Sequence, residues 1–206
     1  MIKLHHLNKS RSKRIIWLLE ELGVNYEVVA YQRDAVTSLA PPELKAIHPL
    51  GKSPVIENEG TVIAESGAIT EYLIEQHAAG SLSPERGTTE YVEYLQWLHF
   101  AESSAILPLL LKMFITKDGC KTNFVADYAD SEVAKIVSYL EQTLAGKRYL
   151  VADKLTGADI MMSFIVEIIG KSASFDNLPN IAAYAKQLAT HDCFTKAEAI
   201  EAKYQA

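Results

Sequence analysis

The sequence predicts an α/β domain followed by an all-helical domain. In the first 77 residues, short β-branched and apolar runs alternate with segments whose apolar residues recur at helical spacing. Beyond residue 89, only the helical spacing continues. The stretch between them lacks periodicity and is rich in Gly, Ser, Thr and Pro, as linkers are. The predicted domains are residues 1–77 and 90–206, joined by a linker at residues 78–89.

The first domain has the predicted element order β-α-β-α-β-β-α. Residues 2–7 favour a strand, and residues 10–22 favour a helix that Gly23 ends with a left-handed cap. A proline-interrupted segment at residues 37–47 predicts a short or irregular helix. The remaining predicted elements are strands at residues 26–30, 55–57 and 61–63 and a helix at residues 66–77. This order is that of a thioredoxin-like domain.

The second domain is predicted to be a bundle of helices. Its first helix, residues 90–116, is long and has a broad apolar face. Further helices are predicted at residues 130–144, 158–170 and 178–190, with a weaker segment toward the C-terminus. Thr156 and Asp159 resemble a capping box at the start of the predicted helix of residues 158–170. A catalytic acid is the alternative role for Asp159, and it is disfavoured because Leu155 and Ile160 can form a hydrophobic staple beside the box.

Charge and composition exclude several function classes. A formal net charge of −6 argues against a general nucleic-acid binder, because such proteins neutralise phosphates with Lys and Arg. The N-terminus lacks a secretory signal, and the longest apolar run, residues 105–115, is shorter than the ~20 residues that span a bilayer. We therefore expect a cytoplasmic protein that binds neither nucleic acid nor membrane.

Cysteine and histidine usage predicts no metal site and no disulfide framework. Cys120 and Cys193 are the two cysteines of the chain and lie far apart. His5 and His6 are adjacent on a predicted strand, so they point to opposite faces and cannot chelate one ion together.

Four segments, in order along the chain, resemble the glutathione transferase family. Residues 48–55, His-Pro-Leu-Gly-Lys-Ser-Pro-Val, are similar to the family pattern Asn-Pro-x-Gly-Lys-Val-Pro-Val. The other three matching segments are residues 10–23, 64–73 and 155–160. The resemblance extends over essentially the whole chain. It implies a thioredoxin-like N-terminal domain that binds glutathione as a co-substrate and a helical C-terminal domain.

The resemblance also implies which residues hold glutathione. The Glu65 carboxylate would pair with the ammonium of the γ-glutamyl group, while the Ser66 hydroxyl and the following helix N-terminus would hold its carboxylate. A cis Ser53-Pro54 bond would present the Ser53 backbone to the cysteinyl group. Ser53 replaces the commoner Val, at little loss because the contact is through the backbone. Lys52 would meet the glycyl carboxylate.

The reactive species in this chemistry is the thiolate, which a hydroxyl hydrogen bond and a helix N-terminus both favour. No Tyr precedes Tyr26 and no Cys precedes Cys120, so the residue used by the tyrosine and cysteine variants of the family is missing here. The resemblance therefore implies a serine as the hydroxyl. Ser10 and Ser12 both qualify. Ser10 is preferred because it comes earlier in the loop, whereas Ser12 belongs to the first turn of the helix. Helix capping is the competing role for either serine.

Three charged or polar neighbours complete the predicted turn. Asn8 and Arg11 are further candidates for contact with the sulfur. Arg14 is predicted to be a surface or dimer-facing cation.

Three functions remain open from the sequence. The first is a glutathione transferase that adds the thiolate to an electrophilic, largely apolar substrate held between the domains. The second is a glutathione-binding or protein-interaction module with little turnover. The third, a glutaredoxin-type enzyme, is disfavoured because no N-terminal cysteine is present to form the mixed disulfide. The family resemblance implies a homodimer, and the identity of the electrophile is not encoded in ordinary apolar lining residues.

Overall fold

A computed structural model describes residues 1–78, 80–172 and 175–204. The strands are β1 Ile2–Leu7, β2 Tyr26–Tyr31, β3 Val55–Asn58 and β4 Thr61–Ala64. The helices are α1 Ser12–Leu22, α2 Leu44–Ile47, α3 Ser66–His77, α4 Thr89–Glu102, α5 Ile106–Asp118, α6 Val125–Thr143, α7 Gly157–Ser172, α8 Pro179–Leu188 and α9 Asp192–Lys203. A 3-10 turn, Phe175–Asn177, precedes α8. Contacts divide the chain into two compact units, one of residues 1–83 with 189–206 and one of residues 84–188.

The first unit is built on a four-stranded mixed sheet in the order β2-β1-β3-β4. β1 runs parallel to β2 and antiparallel to β3, and β4 pairs antiparallel with β3. The predicted α/β thioredoxin-like domain followed by helices is confirmed. β1 is a central strand, and all of its residues after Lys3 are buried. A central buried strand fixes whatever loop follows it, and the loop after β1 carries the two candidate serines.

α1 follows the local signals in the sequence closely. Its face toward the sheet holds Ile15, Ile16, Leu18 and Leu19, none of which is exposed to solvent. Gly23 ends the helix at φ 61°, and its N–H donates to the Glu20 carbonyl over 3.2 Å. This is the left-handed cap predicted from the sequence, at a φ that a residue without Cβ adopts without strain.

α9 belongs to the first unit by its contacts. The indole of Trp17 on α1 meets the Phe194 ring of α9 edge to face, with centroids 5.0 Å apart. The Lys13 ammonium is 2.7 Å from the Glu198 carboxylate. The sequence places this segment with the C-terminal helices because of chain order alone, since periodicity does not indicate which neighbour covers an amphipathic helix. The domain boundaries themselves stay a prediction.

The second unit consists of α4 to α8 and differs from the prediction in its first element. The predicted helix of residues 90–116 is divided at residues 103–105 into α4 and α5. Pro108 provides the physical reason, because its ring would clash with the carbonyl four residues earlier in a continuous helix. In α5 it is the third residue, where a missing N–H costs little. By length and composition, the stretch Thr89–Asp118 could cross a membrane, a test that core helices of other proteins also pass.

The predicted capping box is present at the start of α7. The Thr156 N–H and hydroxyl donate to one Asp159 carboxylate oxygen over 2.8 and 3.0 Å. The Ala158 N–H donates in turn to the Thr156 hydroxyl over 3.3 Å. Asp159 also accepts bonds from the Leu150 N–H and the Tyr184 hydroxyl, so it holds two other segments of the unit to this helix end.

Candidate functional site

The turn between β1 and α1 places the two candidate serines side by side. The Oγ atoms of Ser10 and Ser12 are 2.7 Å apart. Ser12 has no solvent exposure, whereas Ser10 retains 7%. Ser12 is the first residue of α1, as the sequence predicts, and its N–H donates to Ser10 Oγ over 3.2 Å. Ser10 is therefore the outer hydroxyl of the pair and Ser12 the inner one.

The Ser53-Pro54 peptide bond is cis. The Ser53 hydroxyl donates to the His5 carbonyl over 2.8 Å and accepts from the Leu7 N–H over 3.1 Å. The same Leu7 N–H points to Ser12 Oγ at 3.3 Å. One backbone group of β1 thus joins the turn before β3 to the turn before α1. The Ser53 hydroxyl therefore has a structural role that the Val of the family pattern could not fill, since a Val side chain makes no hydrogen bonds.

Glu65 and Ser66 lie at the N-terminus of α3, as the sequence predicts. Glu65 is exposed, and its carboxylate has no hydrogen-bond or ionic partner among the residues that the structure describes. Its φ of 71° lies in the region that residues other than glycine seldom adopt. Ser66 is buried, and its Oγ accepts a hydrogen bond from Arg14 Nη2 over 3.0 Å. The Glu65-Ser66 pair therefore combines an exposed carboxylate, unpaired among the described residues, with a buried hydroxyl that Arg14 holds in place.

The prediction that Arg14 is a surface or dimer-facing cation is wrong. Its side chain is only 1% exposed and lies between α1 and the start of α3. Every residue of this helix from Arg14 to Leu19 is buried. A guanidinium in such a place needs hydrogen-bond acceptors, and the Ser66 hydroxyl supplies one. The signal in the sequence was that Arg14 directly precedes the apolar run of residues 15–19.

Asn8, a further predicted site residue, has a structural role in the loop between β1 and α1. Asn8 is buried, and its amide oxygen accepts from the Arg33 N–H over 3.0 Å. Arg33, which sequence reasoning missed, also donates to the Asn8 carbonyl over 3.1 Å. Burial, followed by the charge of nearby Arg11, lowers the pKa of Arg33 below its ordinary value. Asn8 and Arg11 both lie near Arg33, and their contact with the sulfur of glutathione stays a prediction.

Lys52 is exposed, and no hydrogen bond or ion pair involves it in the described part of the chain. It follows Gly51, which has a φ of 57° and is itself buried. A Cβ at Gly51 would lie 2.8 Å from the Lys45 side chain, so the turn accommodates only glycine without adjustment.

Two buried residues behind the serines were not predicted as site residues. His6 Nδ1 is 2.8 Å from Ser12 Oγ, and its Nε2 is 2.9 Å from a Glu201 carboxylate oxygen. Glu201 is 3% exposed, and its other oxygen accepts from the Lys9 N–H over 2.8 Å. Burial raises the pKa of Glu201, but His6, the Lys9 N–H and Lys13 together bring it below its ordinary value. A charged residue at the end of α9 could not be linked to β1 by any local pattern.

The described residues contain no group of three or more His, Cys, Asp or Glu side chains that could hold a metal ion. The arrangement is one of hydroxyls, backbone N–H groups and isolated charges.

Comparison with known proteins identifies the family. Residues 1–75 match the family described as Glutathione S-transferase, N-terminal domain, and residues 103–192 match Glutathione S-transferase, C-terminal domain. Glutathione S-transferase 1 of Saccharomyces cerevisiae is 33% identical, with 94% of this chain and 92% of the relative covered. This chain belongs to the glutathione S-transferase family. A crystal structure of a glutathione S-transferase from Actinobacillus pleuropneumoniae is 36% identical with a TM-score of 0.89, covering 98% of this chain and 93% of that one.

The predicted site residues of this glutathione S-transferase all lie in the span matched to the N-terminal domain, residues 1–75. Glu201 lies outside both matched spans. A more distant relative of this glutathione S-transferase is a probable elongation factor 1-gamma 1 from Arabidopsis thaliana. It is 29% identical over 92% of this chain and 46% of the relative.

Proposed function

We propose that this glutathione S-transferase adds the thiolate of glutathione to an electrophilic, largely apolar second substrate. The observation that carries the proposal is the chemistry of the Glu65-Ser66 step. An exposed carboxylate without a partner in the described residues stands directly before a helix N-terminus. An amino acid zwitterion such as the γ-glutamyl end of glutathione needs this combination, an anion for its ammonium and N–H or O–H donors for its carboxylate.

Arg14 makes Ser66 a donor for that carboxylate. A serine hydroxyl has one hydrogen, and Arg14 already donates to its oxygen. The hydrogen of Ser66 is therefore left for the ligand. Lys52, which is exposed and unpaired in the described chain, would meet the glycyl carboxylate at the other end of glutathione. The Ser53 backbone next to the cis bond would pair with the cysteinyl group between them.

The proposed thiol contact is Ser10, because it is the outer member of the serine pair and Ser12 is enclosed by Leu7, His6 and Ser10. A thiol near its ordinary pKa of ~8.5 must gain about 2.7 kcal/mol of preference for the anion to titrate two units lower. The Ser10 hydroxyl and the N-terminus of α1 would contribute part of this.

Binding is tested by calorimetric titration of glutathione and by retention on immobilised glutathione. Glu65→Gln and Ser66→Ala each remove a charge-assisted contact, so each should weaken affinity roughly ten- to hundredfold. Glu59→Gln is the matched control, since Glu59 is an exposed carboxylate in the turn between β3 and β4. Wild-type affinity in Glu65→Gln and in Ser66→Ala would mean that glutathione binds elsewhere.

Catalysis is tested by conjugation of a chlorodinitrobenzene-type electrophile. Ser10→Ala should lower turnover roughly tenfold or more while leaving glutathione affinity within a few-fold. If Ser10→Ala turns over normally and Ser12→Ala does not, the inner hydroxyl rather than the outer one contacts the thiol.

A second candidate is a glutathione-binding or interaction module with little turnover, and the resemblance to a probable elongation factor 1-gamma supports keeping it. Normal glutathione affinity without conjugation across a panel of electrophiles would favour it. We also propose a homodimer in the cytoplasm. Sedimentation at micromolar concentration tests the dimer, since a monomer there would contradict it.

A further inference from the structure

A continuous series of buried polar side chains, Ser10, Ser12, His6 and Glu201, leads inward from the proposed thiol contact. Ser10 Oγ is 2.7 Å from Ser12 Oγ, which is 2.8 Å from His6 Nδ1. His6 Nε2 is 2.9 Å from Glu201 Oε2. The four side chains come from the first turn, α1, β1 and α9, and all of them are buried.

Counting donors and acceptors assigns the positions of the hydrogens on His6, Ser12 and Ser10 in this series. The Glu201 carboxylate is ionised above its lowered pKa and accepts from the Lys9 N–H, so the His6 nitrogen that faces it carries a hydrogen. In a neutral imidazole, the other nitrogen, Nδ1, is then an acceptor. Ser12 has one hydrogen, and its contacts with the Leu7 N–H and C=O are the longer ones, both 3.3 Å. Ser12 therefore donates to His6, and Ser10 donates to Ser12.

Because Ser10 directs its hydrogen inward in this state, its oxygen faces outward as an acceptor. An incoming thiol can donate its S–H to that oxygen. We propose that His6 is the proton acceptor for the glutathione thiol, reached through Ser10 and Ser12, and that Glu201 holds the resulting imidazolium. The proposal rests on glutathione binding as proposed above.

The proton transfer balances without any further reactant. The S–H bond breaks and leaves its electron pair on sulfur. The thiol proton bonds to Ser10 Oγ, the Ser10 hydrogen passes to Ser12 Oγ, and the Ser12 hydrogen bonds to His6 Nδ1. After the transfer, the hydrogen bonds of both hydroxyls point in the opposite direction. Ser10 then donates to the thiolate, and His6 carries a positive charge beside Glu201. The same reversal creates the nucleophile and the hydrogen bond that stabilises it.

The His6 imidazole faces a carboxylate and an aromatic ring. Glu201 on α9 is the carboxylate that faces it, and the two form a close charge contact rather than a well-aligned hydrogen bond. The Tyr204 ring is 5.7 Å from the imidazole, centroid to centroid. From α1, Lys13 acts on Glu201 but is itself neutralised by Glu198. His5, on the other face of β1, is paired separately with Glu57. His6 and Ser12 are thus positioning groups that act through Ser10.

The decisive experiment measures where the thiol proton goes. Glutathione is titrated into the wild-type enzyme by calorimetry in buffers of different ionisation enthalpy, while ultraviolet absorbance reports the bound thiolate. Retention of the proton on His6 predicts a full thiolate signal with little proton release to the buffer near neutral pH. Release of the thiol proton to the buffer together with that signal would overturn the proposal.

Two variants test the same path. His6→Asn keeps a polar atom beside Ser12 but cannot take a proton, so the pKa of the bound thiol should rise by about one unit or more. Glu201→Gln should shift it in the same direction, because the imidazolium loses its counter-charge. His5→Asn, one residue away on the opposite face of β1, is the matched control and should leave the pKa of the bound thiol unchanged. Affinity for S-methylglutathione, which has no thiol proton, should be unaltered in all three variants.

The outcomes separate this proposal from the proposed function. If wild-type enzyme fails to bind glutathione, the function itself is wrong. A second outcome is that glutathione binds and is conjugated while the pKa of the bound thiol is equal in wild type, His6→Asn and Glu201→Gln. In that case proton transfer to His6 through Ser10 and Ser12 is wrong, and Ser10 acts alone. Should His6→Asn fail to fold, Glu201→Gln and the wild-type proton release still decide.

Discussion

Arg14 donates a hydrogen bond to Ser66 over 3.0 Å, and both side chains are buried. This contact joins the middle of the first turn of α1 to the first residue of α3. It orients the one hydroxyl that the proposed function assigns to the γ-glutamyl carboxylate. It also explains why an arginine is tolerated in a run of otherwise apolar helix residues.

Arg14→Lys keeps the charge but loses the planar guanidinium that reaches Ser66. We expect the free energy of unfolding to fall by about 1.5–3 kcal/mol, as for the loss of a buried hydrogen bond to a charged group. Glutathione affinity should fall with it, because the Ser66 hydrogen is no longer directed outward. Denaturant unfolding and calorimetry measure the two effects. Arg148→Lys is the control, since Arg148 is 67% exposed in its pair with Asp153 and should change stability by less than about 1 kcal/mol.

Ser53→Val introduces the residue that is commoner in the family pattern. The hydroxyl bonds to His5 and Leu7 are lost, so we expect the free energy of unfolding to fall by about 1 kcal/mol or somewhat more. Affinity for glutathione should stay near that of wild type, because the proposed contact is made by the backbone. Ser53→Thr retains a hydroxyl and should restore stability. A large loss of affinity in Ser53→Val with unchanged stability would show that the hydroxyl itself binds the ligand.

Asp159 gives a graded set of stability effects. Burial raises the pKa of its carboxyl above the ordinary value, although four hydrogen bonds act in the opposite direction. Asp159→Asn turns an amide N–H₂ toward a donor, so we expect a loss of about 3 kcal/mol. Tyr184→Phe removes one of those donors cleanly and should cost about 1 kcal/mol. Urea denaturation measures both. Folded Asp159→Asn should turn over normally. Loss of turnover at a temperature where the variant stays folded would instead support Asp159 as a catalytic acid.

Glu201 should contribute to stability in a pH-dependent manner. Its pKa in the folded state is lower than its ordinary value of 4.5, so the ionised form stabilises the fold. That contribution is complete above about pH 4.5 and is lost as the pH falls through the lowered folded pKa. At neutral pH, Glu201→Gln should be less stable by about 1–3 kcal/mol. The difference from wild type should shrink in acid.

Glu198→Gln on the same helix is the control for Glu201→Gln. Glu198 is 47% exposed in its pair with Lys13, so its removal should cost less than about 1 kcal/mol. Unfolding free energies measured from neutral to acidic pH test both variants. A constant difference between wild type and Glu201→Gln across that range would contradict the assignment.

The first domain could be predicted closely from the sequence because its signals are local. β1 and α3 have the predicted bounds, and Gly23 ends α1 as expected. Alternation, helical spacing and turn residues act over a few positions, so they are visible along the chain. The division of α4 from α5 was missed although its cause is also local, since the clash at Pro108 outweighs the helical periodicity around it.

Within the site, the sequence by itself predicted which short segments bind glutathione, and those contacts stay a prediction. The pairs Ser53-Pro54 and Glu65-Ser66 are each contiguous, and the family resemblance of the segments around them implies their roles. Only the tertiary structure decided that Arg14 is buried against Ser66 and that Glu201 stands behind His6. The last contact joins residues 6 and 201, and it exists because α9 packs on α1, the helix that follows β1. Burial and charge pairing over such a distance depend on which helix covers which face, and periodicity within a helix carries no information about its partner.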